Sequence, residues 1–290
     1  MSAEVFVNIQ CLLGEGPYYD EQNAALYWVD ILDKKVYCYT IENEELHTKE
    51  FDQHVGCLAP RENGGFILGM EKGVYSYDWQ TDTLAHIAEP EPHLPENRFN
   101  DGKCDPMGRF FVGSMDHKEK QTTGSLYMVA DDHNVHPMID QVAISNGLAW
   151  SPDHTSFYFI DSPTKQVMTY SYNKETGHIH SPSVAVTFPE GVGVPDGMTM
   201  DEEGMLWIAH FGGARVSRWN PISGELLNEY PIPAQNVTSC TFGGPERKDL
   251  FITTASAKTN DNTLKKHPYS GAVFRIRTSV RGLKTSLFKG

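Results

Sequence analysis

YWVD (27–30), FILG (66–69), FFVG (110–113), YFID (158–161), LWIA (206–209) and LFIT (250–253) are six versions of one short apolar strand, and their spacing decides the fold. From fourth letter to fourth letter the steps are 39, 44, 48, 48 and 44 residues. A period of about 40–50 residues built from short strands marks a β-propeller with one repeat per blade. Six repeats predict six blades.

Working outward, each copy follows a turn-forming string: YDEQN (19–23), RENGG (61–65), DPMG (105–108), SPDH (151–154), DEEG (201–204) and GPERK (244–248). Gly, Pro, Asp and Asn supply the dihedral angles and local hydrogen bonds of tight turns. After each copy comes an alternating segment: VYCY (36–39), VYSY (74–77), LYMV (126–129), VMTY (167–170), VSRW (216–219) and VFRI (273–276). Alternation predicts half-buried antiparallel strands. Polar stretches such as 44–51 and 223–231 suit an outer fourth strand. No stretch shows helical periodicity, so the expectation is an all-β, six-bladed propeller of four-stranded antiparallel blades. EVFVNI (4–9) precedes the first full repeat and is expected to complete the last blade beside residues 271–288, hiding an open edge. One domain, 1–290, is expected.

Composition narrows the function. Hydrophobic residues make up 39% of the 290, enough for a core, and 24 Lys and Arg against 38 Asp and Glu give a net charge of −14. That balance argues against nucleic-acid or anionic-membrane partners, which need clustered basic residues. No run approaches the ~18 apolar residues of a membrane span. MSAEVFVNIQ lacks the basic and apolar regions of a signal peptide. The five cysteines (Cys11, Cys38, Cys57, Cys104 and Cys240) are widely spaced, with no CxxC pair. A reduced, cytoplasmic, monomeric protein is expected.

The inner strand of each blade begins ten to twelve residues before the apolar copy. Those positions are Glu15, Gly56, Asn100, Asn146, Asp196 and Ser239. Equivalent starts lie at one end of the central channel, so Glu15, Asn100, Asn146 and Asp196 should converge there. Two carboxylates with amide oxygens form a hard ligand set for one divalent ion; calcium is the first choice, with Mg²⁺, Mn²⁺ or Zn²⁺ as alternatives. In an antiparallel blade the loops after the apolar strands share that face, and two are long, 114–124 and 254–270. Arg98, in the connection entering blade three, would face hydroxyl- or carboxylate-rich substrates. His117 and His210 also fall near this mouth and are expected to be surface or packing residues.

The strings EGP (15–17), NRFNDGK (97–103), SNGLAWSPD (145–153), PDGM (195–198), DEEGMLW (201–207) and TSCTFGG (238–244) carry a resemblance. The chain resembles the gluconolactonase, regucalcin and luciferin-regenerating enzyme family along essentially its whole length, and within it the sugar-lactone lactonases. The resemblance implies a six-bladed propeller holding one divalent metal through Glu15, Asn146 and Asp196. It implies that Arg98 and Asn100 bind sugar hydroxyls and that Asp196 doubles as the catalytic acid/base. Asp101 would sit near the metal-bound water or brace the site. Glu119, in MDHKEKQTTG (115–124), corresponds to a substrate-binding loop glutamate of some members. The implied reaction is hydrolysis of a small sugar lactone to an aldonic acid. No GxSxG elbow is present, in keeping with a mechanism that uses no serine nucleophile. Two rivals remain at this stage: a related metal-dependent esterase or phosphotriesterase, and a calcium-binding propeller without turnover.

Overall fold

Each sequence repeat becomes one four-stranded antiparallel sheet, and six such sheets form the blades of a propeller. The computed structural model describes residues 2–290. Blade one shows the pattern, with strands Gly14–Asp20, Ala25–Asp30, Lys35–Thr40 and Glu45–Glu50 paired in chain order. Ala25–Asp30 is buried at every position, whereas Glu45–Glu50 is almost wholly exposed. Neighbouring blades cover both faces of the second strand, which explains why it reads as an unbroken apolar run rather than an alternating one.

The core is a ring of inter-blade layers. Val29 and Val36 of blade one meet Leu58 and Leu68 of blade two, and Trp28 and Tyr37 meet Phe251 and Val273 of blade six. The last blade closes as the sequence predicts. Its strands run Asn236–Gly243, Asp249–Ala255 and Val273–Arg277, and Glu4–Val7 adds the fourth. Turn aspartates fix the far ends of the blades: Asp20, Asp105 and Asp201 each accept from two backbone N–H groups two to four residues on.

Two expectations are corrected. The blade-six loop contains a short helix, Asp261–Lys266, whose N-cap Asn260 accepts from Thr263 N at 3.0 Å. Six residues are too few to display a helical period, so capping rather than pattern defines it. Residues 271–288 do not all belong to the last blade, because its strand ends at Arg277. The remainder crosses the face opposite the inner-strand starts, bridging Asp201 to Gly282 and Arg61 to Phe288. Phe288 is fully buried beside Phe110 and Val112, which anchors this tail.

Candidate metal and substrate site

Every inner strand is irregular at the position the repeat singles out. Pairing with the second strand breaks between Glu15 and Tyr18, Val55 and Cys57, Phe99 and Gly102, Ser145 and Leu148, Pro195 and Met198, and Val237 and Ser239. Asn100, Asn146 and Asp196 lie inside these bulges, and Glu15 borders one. A bulge re-aims side chains that a regular pleat would send to opposite faces. In blade three it frees Asn100 and Asp101 together.

The bulges assemble a hydrogen-bonded line across three blades. Arg98 Nη1 donates to Asn100 Oδ1 at 2.6 Å, and Asn100 Nδ2 donates to Asn146 Oδ1 at 3.0 Å. Asn146 Nδ2 donates to Ser162 Oγ at 2.7 Å, and Ser162 Oγ donates to Pro195 O at 2.6 Å, next to Asp196. Both amides are thereby held with oxygen and nitrogen in defined directions, and Asn146 Oδ1 keeps a lone pair to spare. Arg98, Asn100 and Asn146 are all buried. Gly56 occupies the one phase position without an oxygen side chain. A Cβ there would lie 2.3 Å from Phe99 O and 2.7 Å from Asn100 O, so the blade-three backbone fills that space.

Beside this line stand three buried carboxylates, Glu15, Asp101 and Asp196. Burial pushes the Glu15 carboxyl up to about 8, Asp101 adding to the shift while Gly16 N–H and Arg98 oppose it. Asp196 is pushed well above the usual carboxylate range, first by burial and then by Glu15 and Asp101. Asp101 is raised by burial and eased by Lys103. Glu15 accepts from Gly16 N at 3.0 Å, and Gly197 N–H serves Asp196 in the same way. Crowded carboxylates with so little neutralisation are unfavourable unless protonated or joined by a cation. The oxygen-only donors Glu15, Asp196 and Asn146 therefore fit a hard divalent ion. Among the described residues no three His, Cys, Asp or Glu side chains form a metal cluster by themselves, so an ion here would need the Asn146 amide as well.

The mouth adds Lys258, His54 and Glu71 to the expected Glu119 and His117. Glu119 pairs with Lys258, joining the two long loops. His54 Nδ1 lies 2.7 Å from Glu71 Oε2, and its ring meets His117 at 4.9 Å. Burial and then the Arg98 charge lower the His117 pKa. His210 is a packing residue, as expected: Nδ1–H donates to Val192 O at 2.9 Å, and Nε2 accepts from Ser217 Oγ at 2.5 Å. Ser162, Lys103 and Lys258 were missed by sequence reasoning. Only Lys103, within NRFNDGK, carried any signal. Below the site the channel opens into a cavity of about 310 Å³, lined by Asp101, Lys103, Ser239 and the tail residues Leu283 to Ser286.

Residues 13–256 match the family described as the SMP-30/Gluconolactonase/LRE-like region. The chain belongs to this family. The Bacillus subtilis (strain 168) protein provisionally named sugar lactone lactonase YvrE is 36% identical over 290 residues, covering 100% of this chain and 99% of that one. A luciferin-regenerating enzyme of known structure is 32% identical with a TM-score of 0.94, covering 99% of each chain. Regucalcin from Agrobacterium tumefaciens, described as a calcium-binding protein, is 27% identical with a TM-score of 0.95, covering 100% of this chain and 98% of that one. The family resemblance carried by NRFNDGK and SNGLAWSPD is thus borne out. Both strings lie on inner strands, the first carrying Arg98 and Asn100 and the second Asn146.

Proposed function

We propose that this chain is a metal-dependent hydrolase of sugar lactones, opening gluconolactone-like rings to aldonic acids. The observation that carries the reading is the meeting of three buried carboxylates with the Arg98–Asn100–Asn146 line at one end of the channel. Relatives named as a lactonase and as a calcium-binding protein support its two halves. Glu15, Asn146 and Asp196 would hold one divalent ion, calcium first and Mg²⁺, Mn²⁺ or Zn²⁺ after it. When bound, that ion would polarise the lactone carbonyl and stabilise the oxyanion developing there.

The remaining work falls to the protein. Asp196 accepts a proton as water adds to the carbonyl carbon, and returns it to the ring oxygen as the C–O bond breaks. Arg98 donates to ring hydroxyls and Asn100 accepts from them through Oδ1, its two N–H donors being held by Ser145 O and Asn146 Oδ1, so little ordering is left for the substrate to impose. Glu119 contributes from the loop above them. Asp101 stands beside the reacting water, keeping the pocket negative. The five cysteines are free and buried, which suits a reducing cytoplasm. We propose a monomer of one domain.

The test is turnover of glucono-δ-lactone by pH-stat, comparing Asp196→Asn and Glu15→Gln with the parent. Loss of turnover in both, with the fold retained by circular dichroism, supports the reading; undiminished hydrolysis defeats it. Aryl esters and phosphotriesters should trail sugar lactones by at least about tenfold in kcat/KM, about 1.4 kcal/mol of transition-state preference. Calcium binding with no turnover on any lactone would move the assignment to a calcium-binding propeller.

A further inference from the structure

We infer that Lys103 is the channel's built-in counter-cation, occupying the position to which a second divalent ion would be drawn and so limiting the site to one. The inference rests on the proposed metal reading and concerns the capacity of that site. Lys103 lies two residues beyond Asp101 on the inner strand of blade three, and both line the cavity beneath the mouth. Its Nζ donates to the carbonyl of Met198, on the inner strand of blade five, at 2.7 Å. The side chain thus reaches from blade three to the backbone of blade five. A carboxylate and a backbone carbonyl at one cavity are what a hard cation accepts. The ammonium holds that place.

Charge balance argues the same way. At the mouth Arg98 and Lys258 answer Glu119 first and reach Glu15 and Asp196 as well. Lys103 answers Asp101, its neighbour on the same strand, which leaves the Glu15 and Asp196 carboxylates for the ion. With Lys103 charged, one divalent ion neutralises the remainder. Without it, a single ion leaves a negative charge buried, which is costly in a low dielectric. Burial lowers the Lys103 pKa, and Asp101 opposes that shift.

Chelator-stripped protein titrated with CaCl₂ by calorimetry, with the bound ion counted by elemental analysis, tests this. The parent should bind one ion. Lys103→Met should bind that ion about tenfold more tightly or take up a second. Asp101→Asn should weaken binding about tenfold, and the double variant should return to within about threefold of the parent. Lys103→Arg should match the parent. Unchanged stoichiometry and affinity in a folded Lys103→Met variant, or a double variant that does not return, overturns the inference. If Lys103→Met fails to fold, Asp101→Asn and Lys103→Arg decide it: the first must weaken binding and the second must not. A parent that binds one ion while no variant shifts sinks the Lys103 role alone; a parent that binds none removes the metal reading as well.

Discussion

Glu119 and Lys258, 139 residues apart, form an ion pair that ties the blade-three loop to the blade-six loop at the channel mouth. Lys258 also stands over the Phe211 ring, 5.9 Å from its centroid. Each loop is anchored at its base. Asp116 accepts from the backbone N–H groups of Lys118, Lys120 and Gln121, and Asn236 Nδ2 donates to Ala257 O at 2.9 Å. The pair therefore links two preformed loops rather than ordering a slack one.

Because both partners are partly exposed, the pair adds well under about 1 kcal/mol to folding. Its effect should appear in substrate capture. Glu119→Gln and Lys258→Met should each raise KM for a sugar lactone about two- to fivefold, and the double variant should do no worse than the larger single. Melting temperatures should agree within about 1 °C. Effects that multiply would mean the two residues act separately.

Removing one crowded carboxylate should separate stability from activity. Asp196→Asn should lower kcat at least about 10²-fold, the usual worth of a positioned acid or base. In chelator the same variant should melt above the parent, because repulsion with Glu15 and Asp101 is relieved. Calcium at about a hundred times its Kd should stabilise the parent by about 2.7 kcal/mol and the variant much less. Differential scanning calorimetry with and without calcium gives both comparisons; equal calcium stabilisation would remove Asp196 from the ligand set.

Glu91 braces the connection that delivers Arg98. Its Oε1 accepts from Ser114 Oγ at 2.7 Å and Tyr127 OH at 3.0 Å, and its Oε2 accepts from Asn97 Nδ2 at 2.9 Å. Glu91→Ala strands buried donors, and hydrogen bonds to a charged group contribute about 1.5–3 kcal/mol each. A loss of about 3 kcal/mol in urea unfolding is expected, with a raised KM as Arg98 loosens. A stability change below about 1 kcal/mol would show that the connection holds without this brace.

His210 gives the fold an acid limit. Trp219 Nε1 donates to Ser217 Oγ at 2.6 Å, completing a chain that holds the imidazole neutral. Burial lowers its pKa to about 4, against about 6.5 in an unfolded chain. Between those values only the unfolded state takes the proton, so stability is full above about pH 6.5 and falls as pH drops toward 4. The integrated loss is about 3 kcal/mol. His210→Gln should flatten the pH 7 to 4 decline by up to that amount in denaturant titrations; a parallel decline would assign the acid sensitivity to other groups.

Repeat phase alone located Glu15, Asn100, Asn146 and Asp196, because blades related by rotation send equivalent strand starts to the same rim. Asp101 was legible only as a neighbour of Asn100, since bringing both to the channel takes a bulge that no local pattern announces. Ser162 and Lys258 lie just past apolar strands, in segments whose course depends on the blades beside them. The tail was misplaced for a related reason: residues 278–290 contain no repeat, and Phe288 finds its burial between blades two and three, far from it in sequence.

What the sequence determined by itself was the blade: short apolar strands at a period of 39 to 48 residues, separated by turn-formers, can bury their faces only against copies of themselves. It also set the rim positions, because phase within the repeat is a local property. The tertiary structure decided the charge balance of the hub. Whether three carboxylates and a lysine from blades one, three and five confront one another depends on bulges and on how closely the blades pack, and both are fixed only when the ring closes.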